Sequence, residues 1–185
     1  MATDSLNELR RIGLLLKADA ALPSVTTIVA GEPVRGSWWA HPAGRCIFQT
    51  LRDLSQRPDI VVVKLISGKD TFVHRALWPE LYAVATSNEP WQRVSSEARR
   101  LLQRVVRAGV LEASGDIPRE LERHLLVIGE QFHAVEGHHG KQLESWAHWA
   151  DRVRLDPRRV TAAEAKAVFT AAMTKAKFPG SLPPR

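Results

Sequence analysis

The feature that most restricts the fold of this chain is an apolar run at residues 60–66 with a second run close behind it. The first run reads Ile60-Val61-Val62-Val63-Lys64-Leu65-Ile66, and its β-branched residues favour an extended strand. A short polar turn at 67–70 leads into residues 71–75, which also favour a strand. Because strands joined by a short turn pair antiparallel, the sequence predicts a β-hairpin that is covered on most of one face and part of the other.

Apolar residues recur at helical spacing on both sides of this hairpin. Helices are predicted over 5–21, 44–56, 77–86, 88–108, 141–153 and 161–177. Residues 125–133 fit a strand or a helix, and we predict a strand because Val127 and Ile128 are β-branched and Gly129 weakens a helix. The predicted class is α+β, a helix-rich single domain over 1–178 with a small antiparallel β-sheet and a Pro-rich flexible tail at 179–185.

The 185 residues are enough for one ordinary core. Cys46 is the only cysteine, so the chain can form neither an internal disulfide nor a thiolate zinc cage, and we expect a cytoplasmic protein. Beside Ile47 on the predicted helix 44–56, Cys46 is expected to be buried. The apolar run 12–16 is too short for an export signal or a membrane span, so no membrane partner is expected.

The charge of the chain is segregated along the sequence. The formal net charge is +6 and the pI is about 10.0. Residues 91–110 and 152–185 are basic, and the acidic segment 111–151 lies between them. Along one stripe of the predicted helix 88–108 stand, in order, Arg93, Glu97, Arg100, Arg104 and Arg107. This stripe is either a solvated helix face or a surface that contacts phosphates.

The end of this helix resembles part of a known DNA-binding family. The run Val105-Val106-Arg107-Ala108-Gly109-Val110-Leu111-Glu112 is similar to the end of the recognition helix and the entry to the wing in winged-helix DNA-binding proteins. In that family the recognition helix enters the major groove. The resemblance implies that role here for Arg99, Arg100, Gln103, Arg104 and Arg107, whereas the segment that follows is acidic rather than basic.

Glutamates and histidines are concentrated near residues 130–139. On a strand, Glu130 and His133 would lie on opposite faces, which separates the carboxylate from the imidazole. We therefore expect a hydrogen-bonded structural histidine cluster rather than a metal site, and no metal or cofactor is predicted. If Glu130, His133 and His138 instead lined a pocket, a histidine could act as general acid or base.

Polar residues also interrupt the hairpin, namely Lys64, His74 and Arg75. Their side chains either face solvent, as polar residues that alternate with buried ones on a strand do, or line a cleft. That cleft would be shared with His133 and with Trp39, which lies in the loop before residue 44. Because Trp38 and Trp39 are adjacent, one is expected in the core and the other at a lip.

A cleft of this kind would bind an anion or a base. The chain has no G-x-S-x-G elbow, phosphate-binding glycine loop, dinucleotide fingerprint or H-E-x-x-H motif. The sequence favours a nucleic-acid-binding protein, with DNA or RNA as partner, that uses a basic helix and a Trp/His-lined cleft. The alternative is a small hydrolase or base-processing enzyme with a Glu/His site.

Overall fold

The computed structural model describes residues 2–87, 93–133, 139–155 and 160–176. In these residues the helices are α1 (Ala2–Ile12), α2 (Val25–Ala30), α3 (Gly44–Ser55), α4 (Trp78–Ala85), α5 (Ser96–Ala108), α6 (Ile117–Arg123), α7 (Trp146–Arg152) and α8 (Ala162–Lys175). The strands are β1 (Leu14–Leu16), β2 (Ile60–Ile66), β3 (Lys69–His74), β4 (Val110–Ala113), β5 (Ile128–His133) and β6 (His139–Glu144). The α+β class is confirmed, with two small antiparallel sheets in the described residues.

The first sheet has the order β1-β3-β2 and contains the predicted hairpin. Val61 pairs with Val73, and the two-residue turn consists of Ser67 and Gly68, both with positive φ. Two positive φ values give the turn the twist that antiparallel strands need. One face of the sheet packs in a first apolar cluster and the other face in a second, so both faces are covered.

The prediction of a helix over 5–21 is wrong beyond Ile12. Gly13 has a φ of 93°, which ends α1, and the next three leucines form β1. Leu14 pairs with Val73 and Leu16 with Thr71. All three leucines are fully buried because the two faces of this sheet are both covered, which removes the alternation that marks a half-exposed strand.

The second sheet has the order β4-β6-β5. It corrects the prediction of a helix over 141–153, because residues 139–144 are its central strand and α7 starts only after Ser145. The Ser145 hydroxyl accepts a hydrogen bond from the His148 amide (3.3 Å) and caps α7. The predicted strand at 125–133 is confirmed from Ile128 onward, after Leu125, which has a φ of 56°.

Helix α5 begins later than predicted. The described part of the range 88–108 is helical only from Ser96, and the Ser95 hydroxyl caps it by accepting from the Ala98 amide (3.1 Å). Residues 88–92 lie outside the described residues. Gly109 ends the helix as predicted, with a φ of 79°.

The remaining predicted helices are confirmed with small shifts, including the capping box of Thr161 and Glu164 on α8. The expected burial of Cys46 is wrong, because its side chain is exposed. The buried face of α3 carries Ile47, Leu51 and Leu54. Cys46 precedes Ile47 by one residue, which corresponds to about 100° around the helix, so its side chain lies away from that face.

Three apolar clusters make up the described core. The first joins both sheets to α4, α7 and α8, with Trp78, Trp146 and Trp149 packed edge to face. The second holds α1, α2 and α3 on the first sheet, and the third holds α5 and α6 on the second sheet. The single-domain limits 1–178 stay a prediction, and the tail 179–185 lies outside the described residues.

Candidate functional site

Helix α5 is held firmly on the second sheet. Ala98 and Val105 are fully buried in the third cluster, where the helix contacts α6, β4 and β6. Glu120 of α6 binds the start of the helix, because its carboxylate accepts from the Ser95 amide (2.6 Å) and from the Ser95 hydroxyl (2.8 Å). A carboxylate at this end also favours the positive end of the helix dipole. The orientation of the exposed face of α5 is therefore fixed.

That exposed face is basic, and we name it the arginine face. It consists of Arg100, Arg104 and Arg107 on α5. Arg93 was predicted on the same stripe, but it precedes the helix because α5 begins only at Ser96, so helical spacing does not place it on this face. Arg100 donates to Glu97 one turn earlier (3.0 Å). Within the part of the chain that the structure describes, Arg104 and Arg107 have no carboxylate partner, and neither has the exposed Arg93. Because these side chains are exposed, their guanidinium donors are available for an anion.

The flank of α5 carries side chains of a different kind. Arg99 and Gln103 are exposed there, and Val106 is 61% exposed although it is apolar. At helical spacing these three lie on one stripe beside the arginine face. A guanidinium, an amide and an apolar group are the side chains that contact base edges in the major groove.

A groove of about 480 Å³ runs along the other flank, between α5, the end of β4 and the start of α6. Its apolar lining includes Leu101, Ile117 and Pro118. Arg100 and Arg104 border it together with acidic side chains, Glu97 and Glu112. Charges of both signs border this groove, so the attraction of an anion by Arg100 and Arg104 is opposed there by Glu97 and Glu112.

The polar residues of the hairpin make local contacts. Lys64 donates to Asp70 on the paired strand (2.7 Å). His74 Nδ1 accepts from the Ala76 amide (3.4 Å), and its Nε2 lies 3.7 Å from Asp59. Burial lowers the pKa of His74, while the neighbouring Asp59 opposes that shift. The side chains of Lys64 and His74 therefore already have polar partners in or next to the hairpin.

Arg75 differs from these two residues because its side chain is exposed, while its amide donates to the Asp59 carbonyl (2.8 Å). The Asp59 carboxylate accepts two hydrogen bonds from Arg57 (2.8 and 3.0 Å) and lies 3.6 Å from Arg10. The hydrogen bond from Arg57 lowers the pKa of Asp59. Sequence reasoning missed this cluster, because residues 10, 57 and 74 are brought together only by the packing of α1 on the hairpin.

Trp39 is the exposed member of the two adjacent tryptophans, and Trp38 is the one that packs toward the core. Its ring lies 4.0 Å from that of Trp38, with 25° between the planes, and 5.3 Å from that of Phe48 on α3. Trp38 packs against the second apolar cluster, whereas 64% of Trp39 is exposed. Trp39 and the arginine face therefore flank different parts of the core.

The Glu/His residues predicted for an enzyme site are only partly described. Glu130 is exposed on β5, and His133 ends that strand opposite His139. The side chain of His133 and the whole of His138 lie outside the described residues. Convergence of these groups with the hairpin on one cleft stays a prediction, and so does the hydrolase alternative.

A different Glu/His pair joins β6 to α7. The Glu144 carboxylate accepts from His148 Nδ1 (2.8 Å) and, through both oxygens, from Arg152 (2.8 and 2.7 Å). Burial raises the pKa of Glu144, but the hydrogen bonds from Arg152 and His148 outweigh it, so the pKa is lowered. The spacing of four residues is visible in the sequence, although the change from strand to helix within it is not.

In the described ranges, no three His, Cys, Asp or Glu side chains are placed to hold a metal ion. The helices of the same ranges are all too short or too polar to cross a membrane. No family model, curated protein or solved structure matches this chain. The candidate function therefore rests on the side chains described above.

Proposed function

We propose that the protein binds nucleic acid through the arginine face of α5. The observation that carries the proposal is that Arg104 and Arg107, on one face of α5 with Arg100, are exposed without a carboxylate partner in the described residues. Like charges held together on one rigid helix repel each other, and phosphates would relieve that repulsion. Arginine contacts to phosphates supply most of the affinity of such proteins and position them on the duplex.

Duplex DNA is the ligand whose dimensions suit this helix best. From Arg100 to Arg107 the helix advances about 10 Å, and a B-form major groove about 12 Å wide admits one α-helix. Arg99, Gln103 and Val106 on the flank would then face base edges. In duplex RNA the major groove is too deep and narrow for side chains to read. The winged-helix resemblance implies the same face.

The test is a titration of labelled duplex DNA at several salt concentrations. We expect the double variant Arg104→Ala/Arg107→Ala to reduce the slope of log affinity against log salt by about 2, because each lost phosphate contact contributes about 1. The matched control Arg11→Ala/Lys166→Ala removes two cations from α1 and α8 and should leave the slope unchanged. Absence of binding by the wild type at low salt would contradict the proposal, as would an unchanged slope in the first variant.

A further inference from the structure

A second surface, far along the chain from α5, combines aromatic rings with arginines. We name Trp38, Trp39 and Phe48 the aromatic platform. Trp38 stacks on Trp39, Phe48 lies 5.3 Å from Trp39, and 43% of Phe48 is exposed along with 64% of Trp39. Two large rings exposed side by side are unusual on a protein surface without a binding role.

The backbone beneath the platform is held by specific contacts. His41 Nδ1 accepts from the Ala43 amide (3.1 Å), which leaves its Nε2 hydrogen to be donated to Glu32 (3.2 Å). A Cβ at Gly44 would lie 3.1 Å from the carbonyl oxygens of Trp38 and Trp39. The turn that carries the tryptophans is therefore pressed closely against the start of α3, so the platform is preorganised.

Arginines flank the platform along α3. Arg45, Phe48 and Arg52 follow one another at intervals of three and four residues and so share one face of the helix. Both arginines are exposed, and neither has a carboxylate partner in the ranges that the structure describes. The nearest acidic residue of the helix, Asp53, accepts a hydrogen bond from Gln49 (2.7 Å). An aromatic ring between two available cations suits a ligand that is both flat and anionic.

We infer that the aromatic platform binds unpaired nucleotides of a single-stranded nucleic acid. A base would stack on Trp39 and Phe48, while Arg45 and Arg52 would contact the phosphates on either side. An apolar peptide would use the rings but gain nothing from the two arginines, which is why a polyanion is favoured. The inference rests on the proposed function and adds that the ligand includes unpaired nucleotides. Because the platform and α5 pack on different apolar clusters, each contact can be removed alone.

The test measures the affinity of the full chain for a short labelled oligothymidine, which forms no duplex, and separately for duplex DNA. We expect Trp39→Ala to weaken oligothymidine binding about tenfold or more, because a stacking contact is lost, and to leave duplex binding unchanged. Trp39→Phe keeps an aromatic face and should retain most of the affinity. Arg45→Ala/Arg52→Ala should reduce the salt slope for oligothymidine by about 1.4. Val168→Ala, an exposed apolar residue of α8, is the matched control and should change neither affinity.

The outcomes separate this inference from the proposed function. Wild-type binding to duplex but not to oligothymidine would overturn the platform and leave the proposal for α5 standing. Wild-type binding to oligothymidine but not to duplex would overturn the proposal for α5 and leave the platform standing. Unchanged oligothymidine affinity in both Trp39→Ala and Phe48→Ala would overturn the inference, and so would equal loss of both ligands in a Trp39→Ala protein that melts like the wild type.

Discussion

At the residue scale, Gly109 links the candidate helix to the second sheet. Its φ of 79° lies in the region that favours glycine, and a Cβ there would lie 2.8 Å from the His148 ring. Its carbonyl accepts from the Ser145 amide (2.8 Å), so the end of α5 is bound to the start of α7. Two independent constraints therefore require glycine at this position.

We expect Gly109→Ala to destabilise the protein more than Gly115→Ala does. Gly115 also has a positive φ, 88°, but nothing lies within 4 Å of a Cβ there. The positive φ should cost an alanine about 1–3 kcal/mol at each site, and displacement of the His148 ring should add about 1–3 kcal/mol at Gly109 alone. Denaturant unfolding of the two variants beside the wild type measures the difference. Equal losses would mean that the ring moves aside without cost.

Gly129 lies on a strand as predicted, and the structure gives a second reason for a glycine at this position. The sequence assigned it to a strand because glycine weakens a helix. In the structure, a Cβ at Gly129 would lie 2.1 Å from an oxygen of the buried Glu122, which forms an ion pair with Lys141 on β6. The strand assignment was predictable, but the buried carboxylate beside it comes from α6 and was not.

At the scale of elements, the contacts of Glu144 hold β6 against α7. The carboxylate is buried and bonded to His148 and Arg152, both of α7. Because these bonds lower the pKa of Glu144 below its ordinary value of 4.5, the ionised form stabilises the folded state. That stabilisation is fully present above pH 4.5 and is lost as the pH falls through the lower pKa of the folded state.

We accordingly expect Glu144→Gln to reduce the dependence of stability on pH in the acid range. The variant should be less stable than the wild type at pH 6, and the difference should shrink as the pH falls below 4.5 and through the lowered pKa of Glu144 in the folded state, because the wild type then loses the charge on this carboxylate. The measurement is the free energy of unfolding between pH 3 and 6. The control Glu112→Gln changes an exposed carboxylate of β4 and should run parallel to the wild type. If Glu144→Gln also runs parallel, the carboxylate does not stabilise this junction.

At the scale of the whole molecule, the first apolar cluster connects the two sheets. It contains Val63 and Leu65 of the first sheet, Ile128 of the second, and Phe169 of α8. A shared cluster of this size couples the unfolding of the parts that contribute to it.

We expect one cooperative unfolding transition, with the same midpoint by far-ultraviolet circular dichroism and by tryptophan fluorescence. Phe169→Ala in the first cluster and Leu121→Ala in the third each remove a fully buried side chain and should destabilise by about 2–5 kcal/mol. Both variants should shift the two signals together. A variant that shifts one signal and leaves the other unchanged would show that the predicted domain over 1–178 is divided.

Elements whose signals are local could be predicted from the amino-acid sequence alone. The hairpin followed from a β-branched run and a short turn, α8 from a capping box, and the end of α5 from Gly109. Exposure of the arginine face was also predictable, because helical spacing separates it from Ala98 and Val105. These signals act over a few residues, so the distant chain does not change them.

Elements that depend on partners far along the chain could not be predicted in this way, because tertiary pairing determines them. Leu14 to Leu16 form a strand because β3, more than fifty residues later, pairs with them, and residues 139–144 form a strand because β4 and β5 lie on both sides. Short apolar runs of this kind fit a helix or a covered strand equally well until a partner is known. Packing rather than spacing also sets which surfaces adjoin. Trp38, which stacks on Trp39, packs on the second cluster, whereas α5 packs on the third.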